Sequence, residues 1–238
     1  MQAIPLRVLS RIGRGLAIAA VVQLAFITSA RALAIDATDV PAGVASATVS
    51  GVVFESSPRV FAHKSKPGFT GLGVKKGYVD GEIDLKGETL TITFAEPMVL
   101  DRLVLGFLFK KGNFGDVVSE VARVTAIAAD GHSVVGDLAV LTGTTASWSG
   151  AGGGPVTNLS PGTNAGNGVW AIADPFGDLA IRQLRLSAVE VGCATGSSNS
   201  DFAFGSLVAS APVPVPEPTT LMLLGCGLVG LAASGRRR

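Results

Sequence analysis

The chain has 238 residues, 47% of them hydrophobic and only 6% aromatic, and its 19 basic and 18 acidic side chains leave a net charge of +1. That balance hides an acidic middle, because residues 35–216 carry 12 basic against 17 acidic side chains, near −5. A middle of this charge lacks the basic footprint that nucleic acid requires and so excludes nucleic-acid binding, while it stays compatible with divalent cations.

At the N-terminus Arg7, Arg11 and Arg14 precede an apolar segment over residues 15–30, followed by small residues at Ala32 and Ala34. A basic start, an apolar stretch and small residues at the two positions read by a signal peptidase predict a secretory signal peptide over 1–34, cut after Ala34. Thr28, Ser29 and Ala30 offer an alternative cut after Ala30. Either way the expected partners are a Sec-type export machinery and signal peptidase, and the mature chain lies outside the cytoplasm. Its cysteine content is then one residue, Cys193, since Cys226 lies in the C-terminal apolar run. An intramolecular disulfide, cysteine-type metal sites and thiol–disulfide chemistry are excluded in a chain that has lost that run.

The middle, about 180 residues, is long enough for one domain with its own core. It reads as short strands punctuated by glycine. Residues 47–54 form one candidate and 71–78 another. Over 88–95, Leu90, Ile92 and Phe94 alternate with Thr89, Thr91 and Thr93, the period of a half-buried strand. Glu96 and Pro97 are expected to end it, because proline donates no ladder hydrogen bond. Residues 98–109 are apolar at successive positions and predict a central strand covered on both faces. Over 117–128, Val118, Val121, Val124 and Ile127 recur every third residue, a helical spacing, but valine richness favours a strand. Residues 132–141, 180–191 and 201–210 complete the set. The glycine-rich run 150–168 is the longest connection, with at most a brief strand at 156–159, and loops of that length are commonly functional or mobile. Many short strands without helical periodicity predict an all-β antiparallel sandwich, jelly-roll-like, over 35–211.

Few residues in that domain suggest chemistry. Asp80, Glu82 and Asp84 lie at alternate positions, so Glu82 and Asp84 share a face if the segment is extended. With Asp201, should the sheet bring it near, they form a tentative calcium site, since calcium takes six to eight oxygen ligands. Hydrogen-bonded acidic turns are the plainer reading. Trp148 beside the glycine-rich run is the better-placed indole for stacking on a sugar ring, whereas Trp170 sits among core-like neighbours. The two histidines, His63 and His132, accompany no nucleophile elbow and no His-Glu-x-x-His pattern. The expectation is that the protein is not an enzyme and needs no cofactor, calcium aside. A polysaccharide hydrolase relying on Asp84 and Glu88 is the weakest alternative.

The last segment, 212–238, runs from prolines through an apolar stretch at 221–233 to a basic end. Its longest apolar count, 219–234, spans about 24 Å as a helix, short against a hydrocarbon core of about 30 Å. The order Pro216, Glu217, Pro218, then a single apolar helix, then Arg236, Arg237 and Arg238 resembles the bacterial PEP-CTERM sorting signal. The arginines would hold the end on the cytoplasmic side and leave the body outside. The resemblance implies recognition by an exosortase-like membrane peptidase, transient anchoring by a transmembrane helix in the inner membrane, and delivery of the body to the cell envelope, cell surface or extracellular matrix. The functional expectation is a structural or adhesive role in association with exopolysaccharide, as in a biofilm matrix. A carbohydrate-binding module, with calcium as an option, is the alternative.

Overall fold

Leu90, Ile92 and Phe94 bury one face of a strand that turns out to organise the whole body. The computed structural model describes residues 32–75, 79–160, 168–192 and 199–213; the expected signal helix and the C-terminal helix with its arginines lie outside them. The strands are β1 (Ala32–Asp36), β2 (Ser46–Val49), β3 (Val52–Ser57), β4 (Phe61–Lys66), β5 (Phe69–Val74), β6 (Thr89–Gly106), β7 (Val121–Ala128), β8 (Ser133–Val140), β9 (Ala146–Trp148), β10 (Val156–Asn158), β11 (Trp170–Ala173), β12 (Ile181–Ala188) and β13 (Ala203–Ser210). A single 3-10 turn, Ala37–Asp39, follows β1. The fold is all-β and antiparallel, as the alternation predicts.

β6 joins the two halves of a sandwich. Residues 89–94 pair with β3 on one side and β12 on the other, and β12 leads on through β7 and β8 to β9. Residues 99–106 pair with β13 and β11, and β13 leads on to β5 and β4. The two halves face one another across the larger of two apolar clusters, in which the rings of Phe54 on β3 and Phe204 on β13 stand 5.9 Å apart.

Two sequence expectations need correction, and a third observation bears on where a signal peptide would end. The strand does not stop at Glu96 and Pro97, because β6 runs through them. Its register with β12 jumps from Thr93 opposite Gln183 to Met98 opposite Ile181, so the proline sits in a bulge that asks for no ladder hydrogen bond and turns the strand from one half to the other. Residues 47–54 are a hairpin, not one strand: Ser50 and Gly51 have φ of 51° and 82°, the two positive angles of a tight turn whose twist suits a hairpin. Finally, Ala32 and Ala34, expected in the signal peptide, belong to β1, which pairs residue for residue from Ala32 opposite Ser210 to Asp36 opposite Ser206. A cut after Ala34 would divide this strand, whereas a cut after Ala30 leaves it whole.

The segment of mixed periodicity is a strand from Val121. Its inward residues are Ala122, Val124, Ala126 and Ala128, so small side chains at period two outweigh the valines at period three. The start of the glycine-rich run is packed against backbone. A Cβ at Gly152 would lie 2.2 Å from the Asp174 carbonyl oxygen, and one at Gly154 would lie 1.6 Å from that of Ala173. Only glycine permits so close an approach of two chain segments.

Candidate functional site

At one end of the sandwich, side chains from four separate segments converge on a cavity of about 380 Å³ lined by Lys64, Lys66, Val79, Glu82, Phe107, Phe109, Phe114, Asp116, Glu120 and Asp201. Alternation along β4 sends His63 to the carbonyl oxygen of Ala37, 3.0 Å away, and its neighbour Lys64 to the opposite face, into the cavity. Glu82 arrives on a short extended segment bridged to β5 at Val74 and, through Ile83, to Phe202. Asp201 immediately precedes Phe202. The loop after β6 supplies the rest. Phe107 takes a left-handed φ of 61°, which ends the strand's alternation, and Glu120 closes the loop by accepting a hydrogen bond from the Phe109 amide while its own amide donates to the Phe109 carbonyl at 3.0 Å.

The charges are unevenly matched. The Lys64 ammonium lies 2.5 Å from Glu82 Oε1 and 4.7 Å from the centre of the Phe107 ring, a carboxylate on one side and an aromatic face on the other. Glu82 is 1% exposed and Asp116 8%, yet Glu82 Oε2 and Asp116 Oδ2 have no hydrogen-bond partner. Burying a carboxylate oxygen without a partner is costly, and the usual response is a proton or a counter-charge. Burial pushes the Asp116 carboxyl up to about 6, with Lys64 pulling the other way. Burial and the neighbouring Glu82 push Asp201 up to about 7. Burial, reinforced by Asp201, holds Glu120 well above the usual carboxylate range, and Glu82 is raised by burial against the opposing pull of Lys64. Glu120 and Asp201 hydrogen-bond to each other, which requires a proton between them. The two carboxyls share it.

Of the four carboxylates expected to gather calcium, Glu82 and Asp201 meet in this cavity. Asp80 is exposed on the preceding turn, and Asp84 folds the next one, accepting from the Lys86 amide at 2.7 Å while its own amide donates to Glu88 at 3.2 Å. Glu88 is pushed up to about 7 by burial and then by Asp84. Among the described residues no group of three or more histidine, cysteine, aspartate or glutamate side chains is arranged to hold a metal ion. Trp148 is taken up internally. Its indole N–H donates to the Pro175 carbonyl at 2.8 Å, its ring meets Phe176 edge-on at 5.6 Å, and Gly136 and Gly150 press against it so closely that a Cβ at either would overlap the ring. Trp170 is buried as expected, with its N–H on the Leu108 carbonyl. His132 contacts Asp130 in an exposed turn.

Sequence reading missed Lys64, Asp116 and Glu120. The signal that would have pointed to Asp116 is the aromatic in Gly112-Asn113-Phe114-Gly115-Asp116, a turn-forming setting in which a phenylalanine has little apolar company.

The body that holds this cavity is all-β and antiparallel. The direct match is at the tail: residues 214–238 fit the PEP-CTERM protein-sorting motif, which marks a protein sorted by an exosortase. The expected motif residues Pro216, Glu217, Pro218 and Arg236 to Arg238 all fall within that span, outside the described residues. No curated protein and no solved structure matches the chain.

Proposed function

We propose that the sandwich is the mature body of a surface protein with a structural or adhesive, non-catalytic role at the cell envelope, in association with exopolysaccharide. The observation that carries this reading is the sorting motif at 214–238, attached to a body built as one packed unit around β6. The side chains that an enzyme reading would enlist have structural duties. His63 braces Ala37, His132 closes a turn with Asp130, and Asp84 with Glu88 forms a local turn.

Export is expected to begin with a signal-peptidase cut after Ala30, which preserves β1, and to end with removal of the tail. Mass spectrometry of the surface-located protein tests both ends: a first residue of Arg31 and absence of Arg238 are expected, and an intact C-terminus would contradict removal of the tail. The role itself is tested by deleting the gene and by replacing Glu217. Loss of matrix retention in both strains supports the reading, and unchanged retention in the deletion strain overturns it.

The second reading, a carbohydrate-binding body, is favoured by the aromatic-walled acidic cavity and not by Trp148.

A further inference from the structure

The geometry points to the acidic cavity as a binding site for an amino sugar, whose protonated primary amine is held by Asp116 beside the Phe109 and Phe114 rings. The inference rests on the surface-protein reading only for the source of the ligand, a matrix polysaccharide with free amino groups.

The charge comes first. Four carboxylates, Glu82, Asp116, Glu120 and Asp201, share the cavity with two lysines, Lys66 and Lys64, the latter already paired with Glu82; Asp84 adds to the negative field at Glu82 from the neighbouring turn. The proton between Glu120 and Asp201 neutralises one of them. Asp116 lines the cavity, is more than nine-tenths buried, and has one carboxylate oxygen without a hydrogen-bond partner. A cation is the missing complement.

The structure itself shows which kind of cation suits these walls. Lys64 places an ammonium between the Glu82 carboxylate and the Phe107 ring. Asp116 lines the same cavity as Phe109 and Phe114, whose rings are 4.6 Å apart, and the ammonium whose charge reaches it, Lys64, is the one already held by Glu82. Calcium would need six to eight oxygens, whereas much of this wall is phenyl, and an organic ammonium gains from ring faces as well as from carboxylate.

Phe114 selects the sugar. It is 75% exposed at the rim and has a φ of 50°, a conformation costly for a bulky residue unless its surroundings enforce it. Two hydrogen bonds do so, from the Gly112 amide to the Asp116 carbonyl and from the Asp116 amide to the Asn113 carbonyl, both 2.9 Å. A flat ring so presented offers a stacking face for the C–H side of a pyranose, and about 380 Å³ lies within the range of small-ligand sites.

The test is calorimetric titration of the exported protein, purified from cells, at pH 7, where Asp116 is mostly ionised. A glucosamine oligomer is expected to bind about tenfold or more tightly than its N-acetylated counterpart, as suits one charge-assisted hydrogen bond. Binding should fade as the pH falls through 6. Asp116→Asn and, separately, Phe114→Ser should each lose about tenfold; the second change is at an exposed side chain, so it remains informative should the first fail to fold. Equal affinity for the two oligomers, no binding of the glucosamine form, or indifference to Phe114→Ser would overturn the proposal. Calcium chloride binding that Asp116→Asn abolishes would replace the amine by a divalent cation, and trilysine binding as tightly as the oligomer would replace the sugar by a peptide. No amine binding alongside a clear retention defect on gene deletion removes the ligand and leaves the surface role. Amine binding without any retention defect removes the role and leaves the ligand.

Discussion

Between β3 and β13 the buried space is filled by side chains that want nothing but each other: Phe54, Phe204, Leu90, Ile92, Leu184 and Leu207. Where β6 ends and β13 begins, a cavity holds four buried carboxylates, two lysines and carboxylate oxygens without a hydrogen-bond partner. The first region gains free energy from leaving water, and every atom of it contributes. The second loses free energy by desolvating charge and recovers only part of it through Lys64 and the shared proton. Local choices that conflict with stability in an otherwise consistent fold are where function is to be sought.

The sharpest test of that contrast is a pair of substitutions. Phe54→Ala should lower unfolding free energy by about 3–5 kcal/mol, the cost of lost burial plus a cavity. Asp116→Asn, equally buried, should cost nothing above pH 6 and is expected to stabilise by about 1–2 kcal/mol there, after allowing for solvent screening. Denaturant unfolding of the exported protein measures both. An Asp116→Asn loss approaching that of Phe54→Ala would mean that the cavity is structural, and the contrast would collapse.

Gly154→Ala belongs with the apolar region although no apolar side chain is involved. Its Cβ would overlap the Ala173 carbonyl oxygen, and backbone cannot move aside as a flexible side chain can. The expected loss is about 1–3 kcal/mol. Gly153→Ala makes a useful partner, since its Cβ would meet nothing but its φ of 61° leaves only the smaller conformational cost of about 1 kcal/mol. Equal effects would show that space is not what keeps this run rich in glycine.

The pH profile separates the two regions without any substitution. Carboxyls whose folded values exceed their unfolded ones bind more protons in the native state, so stability falls as the pH rises. For Asp116 the favourable contribution is present below about 4 and is lost as the pH rises through about 6; for Asp201 and Glu88 it is lost through about 7. Melting temperature should therefore decline from pH 5 to pH 7, and the decline should be shallower in Asp116→Asn. A profile that climbs over this interval would contradict the raised values. A glucosamine oligomer should restore part of the loss above pH 7, by mass action on the native state.

Why one region was legible and the other was not follows from the range of the interactions. The strand at Leu90, Ile92 and Phe94 declares itself because alternation is local, and the sorting tail because its order is local too. Pro97 misled because proline ends most strands, and nothing near it in sequence shows that β12 would pair across a bulge. Ser50 and Gly51 were hidden because strand-forming residues, Thr48 and Val49 before them and Val52, Val53 and Phe54 after, flank them on both sides. The cavity needs β13 to return beside β6, which carries Asp201 and Glu82 to the loop holding Asp116 and Glu120. No spacing along the chain records that meeting. Trp148 looked available because its flanking serines are polar, yet Pro175 and Phe176, which occupy it, are 27 residues and more away.

The smallest effect is expected where charges are matched but wet. Arg123 on β7 donates two hydrogen bonds to Asp137 on β8, both 2.8 Å, directly opposite in the ladder, and the side chains are 43% and 28% exposed. Forked geometry makes this a good surface pair, but water already solvates both partners, so Arg123→Met should cost about 0.2–1 kcal/mol and less still in high salt. The comparison with the cavity is direct: a paired charge in water contributes little when removed, whereas a buried carboxylate lacking a hydrogen-bond partner is better replaced by an amide. Should Arg123→Met prove more damaging than Asp116→Asn is stabilising, the edge of the sheet would depend on that ion pair more than its exposure allows, and β7 and β8 would have to be counted among the regions held by charge.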